Sequence, residues 1–405
     1  MVNLVSRSGQ CSGCGACLNA CPRNAIEMKP DDFGFSYPQI SHSLCIGCGR
    51  CLRVCPFKVA NTFAVSIRAF AAVHRSPGVW RSSSGGTFLA LASGVIRKGG
   101  VVFGVGWNQD MVAEHMMVDS TDNLYRLQGS KYVQSDQKRC YSVVKELLQK
   151  GLEVLYSGTP CQIAGLLKFL GEPYHNLYTV DVVCHGVPSE QMHSAYIKYL
   201  EGLLDAKVAD MNYREKSNGW SLRLKVDYEK RNVKKSKRFE YSDSYYYYYV
   251  EQALTLRDSC YQCPFARMER VSDITLGDYW GVEDYHPDIA TRQGVSAVLV
   301  NSTKGLELIG LSQGLFLVES KPEWVAAGNG QLTRPSSCDY ARREEILMLW
   351  REGGARALAA EYKVSLRQRI RNRLVMYTPY TVKDGIKRRL RRVRKSKARC
   401  RSVSS

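Results

Sequence analysis

The sequence predicts an α/β protein: a mixed sheet with flanking helices, preceded by a small cysteine-rich α+β module and followed by a basic helical tail. Three observations carry this. Strand and helix signals alternate from about residue 68 onward. Eight of the 15 cysteines fall between Cys11 and Cys55, in two copies of one spacing. The net charge of +19 is concentrated at the end: residues 363–405 hold 16 Lys+Arg against one acid, Asp384. The first 362 residues carry 41 Lys+Arg against 37 Asp+Glu.

Length and composition bound the rest. At roughly 150 residues per domain, 405 residues make two or three domains. A hydrophobic fraction of 44% with 23% charged residues excludes wholesale disorder. No apolar run approaches the ~18 residues of a membrane span. Met1 to Arg7 lacks the apolar core of a signal peptide. A cytoplasmic protein is therefore expected. The body is nearly neutral, so the high pI does not point to nucleic acid, which is not expected as a partner. In such a chain clustered cysteines point to metal before disulfides.

In the N-terminal module, Cys11, Cys14, Cys17 and Cys21-Pro22 form CxxCxxCxxxCP, and Cys45, Cys48, Cys51 and Cys55-Pro56 repeat it. Three thiolates at two-residue gaps wrap one face of an iron–sulfur cube, and the fourth, displaced by one residue and a proline, reaches the other cluster. Cys11, Cys14, Cys17 and Cys55 should hold one 4Fe-4S cluster, and Cys45, Cys48, Cys51 and Cys21 the second. Zinc sites use four ligands in two pairs and do not explain a doubled run of four. Ala25–Met28 and Phe35–Pro38 read as short strands about a turn at Asp31-Asp32. Over about residues 4–60 the module resembles a bacterial two-cluster ferredoxin, which stores and passes single electrons.

The middle of the chain is read in order. Thr87–Ile96 is a helix stopped by Gly99-Gly100, Val101–Val105 a strand, and Cys140–Lys150 an amphipathic helix. Glu153–Tyr156 is a strand, Gln162–Leu170 a helix, and Leu177–Val183 a strand. Ser221–Tyr241 reads as an antiparallel hairpin turning near Glu229–Asn232. No GxGxxG follows a strand, so a dinucleotide fold of the usual type has no support. Two glycine-containing helix starts are candidate phosphate sites: Ser82–Thr87, and Ser157–Cys161 with Thr159 as N-cap and Pro160 at the first helical position. Alone each is a weak signal, since most glycine-rich helix starts are simply caps.

A series of motifs then appears in order. They are Ser83-Ser84-Gly85-Gly86, Gln128-Gly129-Ser130-Lys131-Tyr132-Val133 and Ser157-Gly158-Thr159-Pro160-Cys161-Gln162. Cys184-His185-Gly186-Val187-Pro188-Ser189, Cys260-Tyr261-Gln262-Cys263-Pro264-Phe265-Ala266, and Arg270 through Gly281 follow. Over about residues 1–330 this resembles the β-subunit family of coenzyme-deazaflavin-reducing hydrogenases and dehydrogenases. That family includes hydroxymethyl-chlorophyll a reductases and bacterial members fused to a two-cluster ferredoxin. The resemblance implies an FAD-containing reductase, with Gly85, Gly86, Thr87 and Lys131 in the flavin-phosphate region and Gly158 and Thr159 near the isoalloxazine or its phosphates. Lys131 reads either as a diphosphate partner or as a solvated helix-end lysine. Cys161, Cys184, Cys260 and Cys263 are candidate ligands of a third 4Fe-4S cluster, or free core cysteines; the CxxC of Cys260 and Cys263 favours metal. Cys140, Cys338 and Cys400 match no motif. His185 is a candidate proton donor, or a packed ring. Asp273 and Asp278 orient Arg270 or substrate, or end a strand. Tyr245–Tyr249 fits core or cofactor wall.

The expected organisation is a ferredoxin-like domain over 1–62, a flavin-binding reductase domain over 68–330 (parts 68–150 and 151–330), and a basic helical extension over 331–405. The tail repeats apolar residues at helical spacing, Ile386, Leu390 and Val393, among cations. This pattern fits an anionic membrane surface, at the inner face of the membrane, or an acidic partner; the alternative is a solvated, frayed tail. The expected function is an iron–sulfur flavoprotein oxidoreductase exchanging electrons with a redox partner protein or small carrier. Bacterial relatives often occur with polysaccharide-synthesis functions. A non-catalytic electron relay, or a scaffold for glycan-assembly enzymes, are the alternatives.

Overall fold

The computed structural model describes residue 4, residues 8–386 and residue 389. The expected cysteine Cys400 and the apolar positions Leu390 and Val393 lie outside the described residues.

The N-terminal module pairs two short helices with a hairpin. α1 (Ala16–Ala20) and α2 (Arg50–Arg53) are each opened by a left-handed glycine, Gly15 at φ 74° and Gly49 at φ 68°. These glycines let each CxxC loop turn directly into a helix. β1 (Ile26–Pro30) and β2 (Ser36–Ile40) pair antiparallel, Met28 opposite Pro38, and Asp31 caps the turn by accepting from Phe33 and Phe35.

Beyond it the chain alternates strand and helix. β3 (Arg68–His74), α3 (Thr87–Arg97), β4 (Val101–Trp107) and β5 (Ala113–Val118) are followed by α4 (Cys140–Gln149), β6 (Val154–Gly158), α5 (Pro160–Leu170) and β7 (Leu177–Val182). α6 (Glu190–Leu204) leads into a separate three-stranded sheet of β8 (Lys207–Asn212), β9 (Leu224–Lys230) and β10 (Val233–Phe239). The β9–β10 turn is Arg231-Asn232, both left-handed, the conformation a two-residue hairpin turn requires. β11 (Ile274–Asp278), α7 (Val282–Tyr285), β12 (Ser296–Val300), α8 (Thr303–Leu311), β13 (Leu315–Ser320) and α9 (Pro322–Ala327) complete the main layer. α10 (Tyr340–Glu361) and α11 (Leu366–Tyr377) follow, and residues 380–386 are again helical.

The main sheet has eight strands in the order β13-β3-β12-β11-β7-β6-β4-β5. β11, β7, β6 and β4 pair parallel, and β12, β3, β13 and β5 each pair antiparallel with their neighbours, so the sheet is mixed. Alternation divides its faces. Val102, Leu155, Tyr178 and Val180 pack under α3 and α8. Val101, Phe103, Val154, Tyr156 and Leu177 pack under α4 and α5, where Cys14 and Ala16 of the N-terminal module join the same core. Tyr141 fixes that junction, donating to the carbonyl of either Cys14 or Gln162, each at 2.8 Å. A further core buries Tyr245, Tyr248 and Tyr249 with Tyr196 of α6 and Ile346, Leu347 and Trp350 of α10. Among the described residues, no helix is long and apolar enough to cross a membrane.

Candidate functional site

The parallel strands bring the separated motifs together. In open α/β sheets, ligands bind beyond the carboxyl ends of the strands. Here β6 runs into Ser157-Gly158-Thr159, β7 into Val183-Cys184-His185, and β11 ends on Gly277-Asp278. Residues from all of these segments line one cavity of about 350 Å³. Gly86, Thr87, Lys131, Gly158, Thr159, His185, Cys161, Cys184, Cys260 and Cys263 all reach its wall.

Two helices start at this cavity. α5 begins with a capping box: Thr159 and Gln162 satisfy each other's backbone amides, and Pro160 occupies the first turn. α3 begins after Gly86, left-handed at φ 86°, and Thr87 is 1% exposed with its hydroxyl unpartnered. A buried hydroxyl without a partner at a cavity wall is suited to a polar ligand. Both helix starts present amides where an anion is favoured. Lys131 stands nearby, its ammonium donating to the carbonyls of Gln128 (2.7 Å) and Arg126 (3.2 Å). Burial pulls it down to about 7, and the Asp210 carboxylate resists. An anion beside it would restore its charge. These features fit a phosphate-bearing flavin.

Gly85 is the exception. It is not on the wall: a Cβ there would sit 2.1 Å from the Ala72 carbonyl and 2.7 Å from the Ser296 amide. Its missing side chain serves the packing of α3's approach against β3 and β12.

Each N-terminal cysteine set rings its own hollow. Cys11, Cys14, Cys17 and Cys55 line one, and Cys21, Cys45, Cys48 and Cys51 line the other. These are the two crossed sets that the spacing predicts. Among the described residues no three His, Cys, Asp or Glu side chains are gathered as around a single ion. Burial pushes the Cys17 and Cys260 thiols up to about 12 and Cys263 up to about 11. Such thiols stay neutral at pH 7 until a cation compensates them, which is the chemistry iron provides. The central four are close enough to raise one another: Cys184 feels Cys260, Cys161 and Cys263. Ser12 and Phe57 line both the Cys11 hollow and the central cavity, so the two are neighbours. Cys140 and Cys338 line none of these hollows.

The remaining sequence candidates sort by contact. Asp273 accepts from Thr179 and Ser302 and does not touch Arg270, which pairs instead with the fully buried Asp181 at 3.0 Å. Asp278 pairs with Arg214 at 2.6 Å, and both reach the cavity. Arg214 stands within a shell of Tyr132 and Trp220. One oxygen of Asp278 and the Nε of Arg214 are buried without partners. His185 lies on the wall and burial lowers its pKa, keeping the imidazole neutral near pH 7. Tyr246 reaches the wall, while Tyr245, Tyr248 and Tyr249 are core.

Sequence reading missed Arg214, Arg257 and His115. His115 lies in the core beside the α5 start, stacked on Tyr156 at 5.2 Å and bonded to Ser135, Gln137 and the Ser157 carbonyl. None of the three sits in a motif; their surroundings come from segments far apart in the sequence, Asp278 for Arg214, Tyr37 for Arg257 and Tyr156 for His115.

Two family models match the chain. Residues 151–321 match the one that describes the C-terminal part of the coenzyme F420 hydrogenase/dehydrogenase beta subunit. Residues 10–59 match the 4Fe-4S dicluster domain. No curated protein sequence matches the chain. Among solved structures it is similar to a chain of the F420-reducing [NiFe] hydrogenase complex from Methanosarcina barkeri, at 14% identity and a TM-score of 0.38, over 72% of this chain and 92% of that one. The chain is thus an iron–sulfur protein of the oxidoreductase type, with a 4Fe-4S dicluster domain over residues 10–59 and a segment, residues 151–321, that matches the C-terminal part of the coenzyme F420 hydrogenase/dehydrogenase beta subunit.

Proposed function

We propose that the chain is an FAD-dependent oxidoreductase in which three 4Fe-4S clusters lead to a flavin in the central cavity. The convergence of Cys161, Cys184, Cys260 and Cys263 on the cavity that also receives the starts of α3 and α5 carries this reading. Cys11, Cys14, Cys17 and Cys55 would hold one cluster, Cys21, Cys45, Cys48 and Cys51 the second, and the central four the third. Gly86, Thr87, Lys131, Gly158 and Thr159 would hold the flavin. Clusters supply one-electron exchange, and FAD joins it to two-electron chemistry.

The chain's own residues bind and orient. The α3 and α5 starts receive phosphate, and Lys131 adds a charge. Arg214 and Asp278, locked to each other, offer one unpartnered donor and one unpartnered acceptor to a polar edge of cofactor or substrate. His185, held neutral by burial, serves in positioning rather than as a standing acid. A redox partner protein or small carrier exchanges electrons at the N-terminal module, which we assign to residues 1–62, with the reductase domain over 68–330 and a helical extension beyond. A link to polysaccharide biosynthesis rests on resemblance alone. Anaerobic quantitation of iron, sulfide and flavin tests the proposal. Twelve irons and one FAD per chain are expected for three clusters, on the order of four irons each. Iron without flavin would leave a relay, and neither would leave a scaffold.

A further inference from the structure

α11 is amphipathic in the inverse sense. A helix advances about 100° per residue, so Leu366, Ile370, Leu374 and Tyr377 fall within a single stripe. A surface helix ordinarily turns such a stripe inward. Here the stripe faces out: Leu366 is 74% exposed, Ile370 55%, Leu374 67% and Tyr377 77%. The face turned toward the body holds Gln368, Arg369, Asn372 and Met376, all half-buried.

Polar contacts fix that orientation. Asn372 donates to the Ser242 hydroxyl at 2.8 Å, Arg369 pairs with Asp243 at 3.5 Å, and Arg373 with Glu240 at 3.5 Å. Asn218 donates to the carbonyls of Met376 (3.0 Å) and Thr378 (2.6 Å), and Tyr380 bonds Thr291 at 3.0 Å. The helix is held by its polar side while its apolar side is presented to whatever lies outside.

Charge selects the occupant. Arg367 and Arg373 border the stripe on its two sides, and Arg371 lies behind Arg367. The chain from residue 387 to 405 adds ten Lys+Arg and no acid. β10, which ends beside Glu240, carries Lys234, Lys235, Lys237 and Arg238 on an exposed strand. A second copy of this chain would bring like charge against like. An apolar stripe rimmed by cations matches the interface of an anionic bilayer, where the stripe enters the acyl boundary and the cations meet headgroups.

We propose that α11 lies on an anionic membrane surface, with Leu366, Ile370, Leu374 and Tyr377 in the interface. This goes beyond the redox reading and does not depend on it. The test floats the full chain with vesicles of phosphatidylcholine alone or mixed with phosphatidylglycerol. Flotation with the mixed vesicles only is expected, weakening with salt. The double variant Ile370→Gln, Leu374→Gln should lose at least about tenfold in vesicle affinity, as removal of two interfacial apolar side chains requires. Its thermal midpoint and iron content should match the parent, because both positions face outward. Failure to float with phosphatidylglycerol overturns the proposal. So does equal binding by the double variant, which would mark a charge-only contact with an acidic partner. A parent that is dimeric, with a monomeric double variant, would overturn it in favour of self-association.

Discussion

Arg257 stacks its guanidinium 4.3 Å from the ring centre of Tyr37, clamping the N-terminal hairpin to the segment that carries Cys260. The same guanidinium donates to the Ser36 carbonyl and lies against Gly13, in the loop between Cys11 and Cys14. It is fully buried, its Nε and Nη1 have no partner, and among the described residues it makes no ion pair. An uncompensated buried cation is costly. Cys11, Cys161 and Cys260 all feel its charge, as an attraction that partly offsets their burial. Thiolate-bound clusters on either side would supply the missing counter-charge.

Arg257→Met keeps the bulk and removes the charge. With the proposed clusters in place, the midpoint potentials of the one at Cys11 and of the central one should become more negative, about 60 mV for each ~1.4 kcal/mol of attraction lost. The cluster at Cys45 serves as the internal reference and should not move. Redox titration followed by electron paramagnetic resonance reads all three. Unchanged potentials would show that Arg257 is a mechanical clamp only.

Cys161→Ala separates the central set from the N-terminal pair. It should cost the iron of one cluster, on the order of four atoms, while the two N-terminal signals persist. Cys48→Ala should do the converse. Loss of no iron in Cys161→Ala would make the central thiols ordinary core cysteines.

How much of this was legible in the sequence depends on how local the cause is. The grouping of the cysteines is legible because cluster ligation is dictated by two-residue gaps, and the two groups line separate hollows, which is what the proposed ligation needs. The α5 start was readable because a capping box spans only Thr159 to Gln162. Gly85 misled: beside Gly86 it reads as part of a phosphate loop, yet what fixes it is Ala72 and Ser296, one before it in the chain and one far beyond. Arg214 and Arg257 carry no local mark. Their importance arises from burial against Asp278 and Tyr37, which sequence spacing does not encode. The inverse orientation of α11 was equally hidden, since periodicity gives a stripe but not the side it faces.

Gly85→Ala should therefore destabilise rather than merely weaken a ligand. The added methyl meets two backbone atoms that belong to different strands and cannot both retreat. A cost of about 3 kcal/mol, the upper range for overpacking, is expected in urea unfolding. A variant with parental stability but poor flavin retention would return Gly85 to the binding site.

If the cavity holds the proposed flavin, Lys131 gives its binding a pH dependence. Its depressed value, about 7, means that above pH 7 the ammonium loses its proton in the flavin-free protein. A bound diphosphate would raise that value, so binding takes up a proton. Affinity should be level below pH 7 and fall above it, by at most tenfold per pH unit. Lys131→Ala should bind about tenfold more weakly at pH 7, consistent with one lost charge-assisted contact, and show no such slope. Fluorescence titration of flavin-depleted protein checks both.

His193 sets a stability slope that is independent of any cofactor. Its ring stacks on Trp107 at 4.8 Å and bonds the Tyr213 hydroxyl at 2.8 Å. Burial pulls it down to about 3, well below the unfolded value near 6.5. Between those values the unfolded chain binds the extra proton, so stability rises with pH across that window. Going from pH 7.5 to 5.5 should cost about 1.4 kcal/mol through this ring alone. His115, pulled down by burial to about 4, contributes with the same sign. His193→Gln, which does not titrate, should lose about 1.4 kcal/mol less than the parent over the same step. The comparison is made by anaerobic urea unfolding at the two pH values. Taking the difference between parent and variant cancels any acid effect on the clusters, and equal losses would mean that His193 is protonated in the folded protein.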